Sequence, residues 1–156
     1  MTTKFEQLCR DLKEQQDLWE RYRSDICKTL NEISAYIKDT FGIPDFYDTN
    51  DGVEYYYKLL PLDENGQEIE HGNYFIPDNG EVPFVIIITL GREDGSYPKI
   101  PYRLKATISL SEDSAIIRFG VDECIAQKNG ETYNYSQVTN SIHAILKRHL
   151  KLSPYS

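Results

Sequence analysis

The stretch GSYPKIPYRLKATISL, Gly95–Leu110, decides how the chain is read. Pro98 and Pro101 stand three residues apart, with Tyr97 directly before the first and Tyr102 directly after the second. Two fixed φ angles make a stiff corner. Beyond it Leu104, Ala106, Ile108 and Leu110 alternate with Arg103, Lys105, Thr107 and Ser109, the pattern of a strand with one buried face. The corner therefore aims a strand over Arg103–Leu110, and its flanks set the topology.

On the N-terminal side, Val82–Leu90 contains the apolar run Phe84–Ile88 and predicts a central strand covered on both faces. Earlier, Val53–Leu60 is rich in Tyr and Val and runs into Asp63-Glu64-Asn65-Gly66. That hairpin signal predicts a returning strand over Gln67–Ile76, with Gly72 as a bulge. On the C-terminal side, Ser111–Ser114 turns into a short apolar run, Ala115–Phe119, and an irregular segment follows. Ser136–Lys151 reads as a helix with Val138, Ile142, Ile145, Leu146 and Leu150 on one face. Lys147, Arg148 and Lys151 complement the dipole at its end.

The first forty residues carry a different period. Phe5, Leu8, Leu12, Trp19, Tyr22, Ile26, Leu30, Ile33 and Ile37 recur at spacings of three and four, and the first breakers are Gly42 and Pro44. A helix over Thr3–Phe41 is about 58 Å long, whereas a domain of this size is only about 40 Å across. It must project or break, and Ser24-Asp25 is the expected break. The covered part of the stripe packs a core. The rest, with Trp19 and Tyr22, is free to dock a partner or a second copy. The element order predicts one α+β domain over residues 1–156: a long N-terminal helix (3–41), a four-stranded antiparallel meander with an irregular segment (53–135), and a C-terminal helix (136–151).

Composition narrows the function. A chain of 156 residues suits one domain with its own core. Its net charge of −8, from 25 acids against 17 bases, makes nucleic acid a poor partner. No apolar run approaches the ~20 residues of a membrane span, and no signal-peptide pattern opens the chain. Cys9, Cys27 and Cys124 make an odd count without close pairing, which predicts free thiols in the cytoplasm. His71, His143 and His149 lack metal-ligand spacing and no Gly-rich phosphate motif occurs, so neither a metal nor another cofactor is expected.

Corner, meander and cysteine together resemble the ubiquitin-conjugating enzyme superfamily. Its members carry a Tyr-Pro-x-x-Pro-type motif after the third strand, which stands here as Tyr97-Pro98-Lys99-Ile100-Pro101. NYFIPDNGEVPFVIIITL is similar to the family's second and third strands, and YRLKATISL to its fourth. The resemblance spans Val53–Leu152. It implies a catalytic cysteine in a non-strand segment ahead of a helix, and Cys124, 26 positions after Pro98, takes that place. The family's His-Pro-Asn tripeptide is absent from SLSEDSAIIRFGVDEC, and one helix follows the cysteine. These departures resemble the bacterial conjugating-enzyme-like proteins of antiphage operons. The resemblance implies a transferase that carries a protein C-terminus as a thioester and passes it to an amine. It implies protein partners: a cyclic-oligonucleotide synthase or ubiquitin-like protein, with an activating enzyme meeting the N-terminal helix.

That chemistry asks for an accessible thiol, assigned to Cys124. Asp122 beside it opposes thiolate formation and suits orienting or deprotonating the incoming amine. Asn129 and Asn134 supply amide donors for an oxyanion. Two other readings stay open. One is a catalytically inactive relative that only binds, signalled by a buried Cys124. The other is an unrelated acidic protein-binding module, such as an immunity protein or a secretion chaperone, signalled by a different sheet order.

Overall fold

The computed structural model of the chain describes residues 1–92 and 98–151. The first helix, α1, spans Lys4–Phe41. Thr3 starts it through a capping box: its hydroxyl accepts from the Glu6 amide at 3.1 Å, and the Glu6 carboxylate accepts from the Thr3 amide. Gly42 ends it in the left-handed conformation at φ 63°, its amide turned back to Asp39. There is no break at Ser24-Asp25. Neither side chain bonds a neighbouring amide there, so nothing competes with the helical ladder. Its buried residues, Ile26, Thr29, Leu30, Ile33 and Ile37, all lie in the second half, and residues 1–21 are exposed. The first half therefore projects.

Two strands follow as a separate hairpin, β1 (Phe46–Thr49) with β2 (Gly52–Tyr55). The main sheet has six strands in sequential, antiparallel order: β3 (Tyr57–Pro61), β4 (Val82–Leu90), β5 (Ile100–Leu110), β6 (Ser114–Phe119), β7 (Asp122–Asn129) and β8 (Thr132–Tyr133). The second helix, α2, spans Ser136–Leu150. The chain is thus α+β with sequential pairing, but the four-stranded expectation is corrected in three places. Val53–Leu60 is divided between β2 and β3. The segment after Phe119, expected to be irregular, forms β7 and β8 with turns between them. Gln67–Ile76 is no strand and keeps only the bridge Leu62↔Glu68. Its Glu68, Glu70, His71 and Asn73 offer no apolar face to bury. Instead Glu68 reaches past β4 to Arg103 on β5, at 2.7 Å, while Tyr74 and Ile76 pack against the core.

That core lies between one sheet face and both helices. Val82, Phe84, Ile86 and Ile88 of β4, Leu104 and Ile108 of β5, and Ile117 of β6 meet Ile26, Leu30, Ile33 and Ile37 of α1. Val138 and Ile142 of α2 close the same layer, with Ile145 half-buried at its rim. Each such side chain contributes about 1.5–3 kcal/mol by leaving water. A smaller cluster of Leu62, Val85 and Ile87 covers the other face of β4, so this strand is buried on both sides as its composition predicts.

Candidate functional site

Cys124 lies in β7, not in a non-strand segment. Asp122, Cys124 and Ala126 share one strand face, and Cys124 and Ala126 are small enough for α2 to settle directly on them. The Gln137 side chain accepts from the Ile125 amide at 3.1 Å, and the Cys124 thiol donates to the Ser141 hydroxyl at 2.9 Å. Only 1% of Cys124 is exposed. Burial pushes its pKa up. The Ser141 bond works the other way, and the charges of Asp122 and Glu123 add to the rise. The sulfur is a packed, protonated thiol with no path to a macromolecular carboxylate.

The side chains expected around it have other tasks. Asp122 pairs with Arg148 at 3.0 Å. Asn134 accepts from the Ser136 amide at 3.0 Å and helps start α2. Asn129 closes the β7–β8 turn, its carbonyl accepting from the Thr132 hydroxyl. None of the three is hydrogen-bonded to the sulfur, whose partners are the Ser141 hydroxyl and the Gln137 carbonyl. Of the corner motif, Tyr97 lies outside the described residues. Pro98 precedes β5, and Pro101 sits inside it opposite Thr89.

The other predicted pair, Trp19 and Tyr22, does form a surface feature. Their rings meet edge to face at 6.0 Å. The Tyr22 hydroxyl donates to the Gly80 carbonyl at 2.5 Å and accepts from the Leu110 amide at 3.1 Å, fastening α1 to the sheet where it leaves the domain. Beside this anchor is a largely apolar cleft of about 490 Å³, lined by Leu18, Trp19, Tyr22, Gly80 and Leu110. The sequence reading leaves out Leu18 and takes Leu110 only as a strand residue. Leu18 stands off the helical stripe and Leu110 ends a distant strand, so only the fold joins them.

Beyond the cleft, α1 carries Phe5, Leu8 and Leu12 with 75%, 66% and 54% of their surfaces in solvent, and Leu18 at its edge is 60% exposed. Residues 4–13 hold three bases and two acids, whereas residues 14–20 hold Glu14, Asp17 and Glu20 and no base. No helix among the described residues is long and apolar enough to cross a membrane, and none of their His, Cys, Asp and Glu side chains group as a metal site. No protein-family model, curated protein or solved structure matches the chain.

Proposed function

We propose that this chain is a non-catalytic protein-binding module that pairs with a second copy of itself through the projecting half of α1. The observation that carries the reading is the exposed apolar surface of Phe5, Leu8 and Leu12, flanked by Leu18 and Trp19, on the half of α1 that holds none of its buried residues. Most of a helix's stability in a protein comes from packing its apolar face, so covering these side chains stabilises the projecting half. Charge order selects an antiparallel pair. Setting Phe5 opposite Tyr22 of the other copy places Leu8 opposite Trp19 and Leu12 opposite Gln15. The tip of each helix then lies over the other's cleft, and Lys4 comes beside Asp25. A parallel pair stacks Lys4 on Lys4 and leaves both clefts empty.

The test is sedimentation equilibrium over a wide concentration range, on the full chain and on the variant Leu8→Glu/Leu12→Glu. The intact chain should form a dimer, and the variant should be monomeric with unchanged far-ultraviolet dichroism of the sheet. A full chain that stays monomeric at every concentration overturns the proposal.

The transferase reading has one support, the helix–sheet–helix order; Pro101, expected in a corner ahead of the strand, is paired inside β5 instead. That reading requires α2 to lift from β7 so that Cys124 meets a donor. Its test is a thiol-sensitive adduct, on a non-reducing gel, between this chain and a partner protein's activated C-terminus. Cys124→Ala must remove the adduct.

A further inference from the structure

The strand β5 is paired along most of its length on one side only. Its register with β4 runs from Ile100 to Ile108, but β6 meets it only from Thr107 to Leu110. The reason is the β6–β7 turn: β6 ends at Phe119, and the chain reverses through Gly120 and Val121, with Gly120 at φ 65°. Along Tyr102–Ala106, alternate backbone N–H and C=O groups therefore point away from β4. Among the described residues no other hydrogen bond reaches them. An unpaired edge of this kind is a template for another strand.

The edge is one wall of a groove of about 490 Å³. The Phe119–Asp122 turn and the last turns of α2 make the others. Leu104, Phe119 and Ile145 give it an apolar floor, and Arg103, Lys105 and Arg148 a basic rim. Its one acid, Asp122, is bonded to Arg148. Arg103 pairs with Glu68 from outside the lining, and the lining's three bases against one acid leave it locally cationic in a chain of net charge −8. Pro101 supplies no amide hydrogen, so the usable edge stops there and is about five residues, or ~17 Å, long.

We propose that this groove binds an extended segment of another protein as an added strand. The segment runs antiparallel to β5 along the line β6 leaves, and it alternates acidic with apolar residues. Side chains on its outer face stand beside Arg103 and Lys105, where carboxylates pair with them. Those on its inner face stand beside Leu104, over Phe119 and Ile145, where only apolar groups are well received. Main-chain bonds hold the segment and the alternation selects it. The inference rests on strand register and groove charge alone, and is independent of how α1 pairs.

The probe is a short capped peptide alternating glutamate and valine, titrated into the full chain with calorimetry and amide hydrogen exchange as readouts. Two controls go beside it: the same peptide N-methylated at alternate residues, and one with lysine for glutamate. The glutamate peptide should bind and slow exchange within Tyr102–Ala106. A spin label on its C-terminal end should broaden Tyr102 before Ala106. The N-methylated and lysine peptides should fail. Arg103→Glu/Lys105→Glu should weaken the glutamate peptide by at least about tenfold and admit the lysine peptide. Three results each overturn the proposal: no binding to the intact chain, equal binding of the N-methylated peptide, or protection outside Tyr102–Ala106. These outcomes need only the natural chain, so they decide the matter even where the double variant fails to fold.

Discussion

The Cys124 thiol and the Ser141 hydroxyl, 2.9 Å apart, join the penultimate strand to the helix that covers it. The bond satisfies a polar hydrogen that burial would otherwise strand. It also ties up the one atom on which thioester chemistry would depend.

Thiol accessibility follows directly. Cys9 is exposed, Cys27 half-buried and Cys124 buried. Iodoacetamide on the folded chain should modify Cys9 first and Cys124 only after denaturant is added, as read by intact mass and peptide mapping. Cys124→Ala should cost about 1–3 kcal/mol, because it opens a small cavity and leaves Ser141 without this partner. Rapid native labelling of Cys124, or a substitution without cost, would return the sulfur to the candidate nucleophiles.

The anchor at Tyr22 is a second test. Tyr22→Phe keeps the ring and deletes both hydrogen bonds, so the Gly80 carbonyl and the Leu110 amide lose a part-buried partner. A loss of about 1–3 kcal/mol is expected in urea unfolding. Gly80→Ala should act at the same joint, since Gly80 has φ 75° and an added Cβ would meet the Tyr22 hydroxyl at 3.3 Å. Wild-type stability in both variants would show that α1 is held elsewhere.

Alkali should destabilise the fold. Burial raises the phenol of Tyr57, with the Ser34 hydrogen bond opposing it, and lifts Tyr74 to about 12. Tyr135 is raised by burial and then by its bond to Glu32. In the unfolded chain these groups ionise near pH 10. Below that pH their contribution is fully present. Above it the unfolded chain releases protons that the folded chain retains, so stability falls until the folded values are passed. Urea midpoints should drop as pH rises from about 10 towards 12. Phenolate absorbance at pH ~11 should show fewer ionised tyrosines in the folded chain than after denaturation. A flat midpoint over that range contradicts the assignment.

Pair direction is open to a charge swap. Lys4→Glu should weaken self-association, and so should Asp25→Lys, each by opposing like charges in the antiparallel pair. The double variant Lys4→Glu/Asp25→Lys should recover most of the loss. Sedimentation gives all four constants. Recovery identifies the antiparallel arrangement, whereas simple addition of the two losses removes it.

Much of this architecture is legible in the residues. The helical stripe from Phe5 to Ile37 and the stops at Gly42 and Pro44 give α1 nearly to the residue, and Val82–Leu90 is a strand as its run of apolar residues predicts. What escaped was pattern too weak to see locally. The inner face of β7 is Cys124 and Ala126, small because α2 packs against it, so its alternation carries little hydrophobic signal. The turn at Asp63–Gly66 is real, with the Gly66 amide bonded to the Asp63 carbonyl. The segment after it nonetheless leaves the sheet edge and crosses to Arg103, an ion pair no local pattern announces. The site suffers most from this. Spacing brings Cys124 near a helix, but only packing tells whether the helix covers it.

The unbroken course of α1 makes orientation a property of chain length. Phe5, Leu12 and Trp19 outside the domain and Ile26 and Ile33 within it recur every seven residues, so the way the inner pair seats in the core dials the angle at which the tip faces solvent. One residue inserted at Ser24-Asp25 would swing that tip through about 100°. Seven would return it to within about 20° of its first bearing while moving it outward by ~10 Å. The helix behaves as an indexed shaft, and any assembly built on its tip inherits both bearing and reach from the few residues between Tyr22 and Ile26.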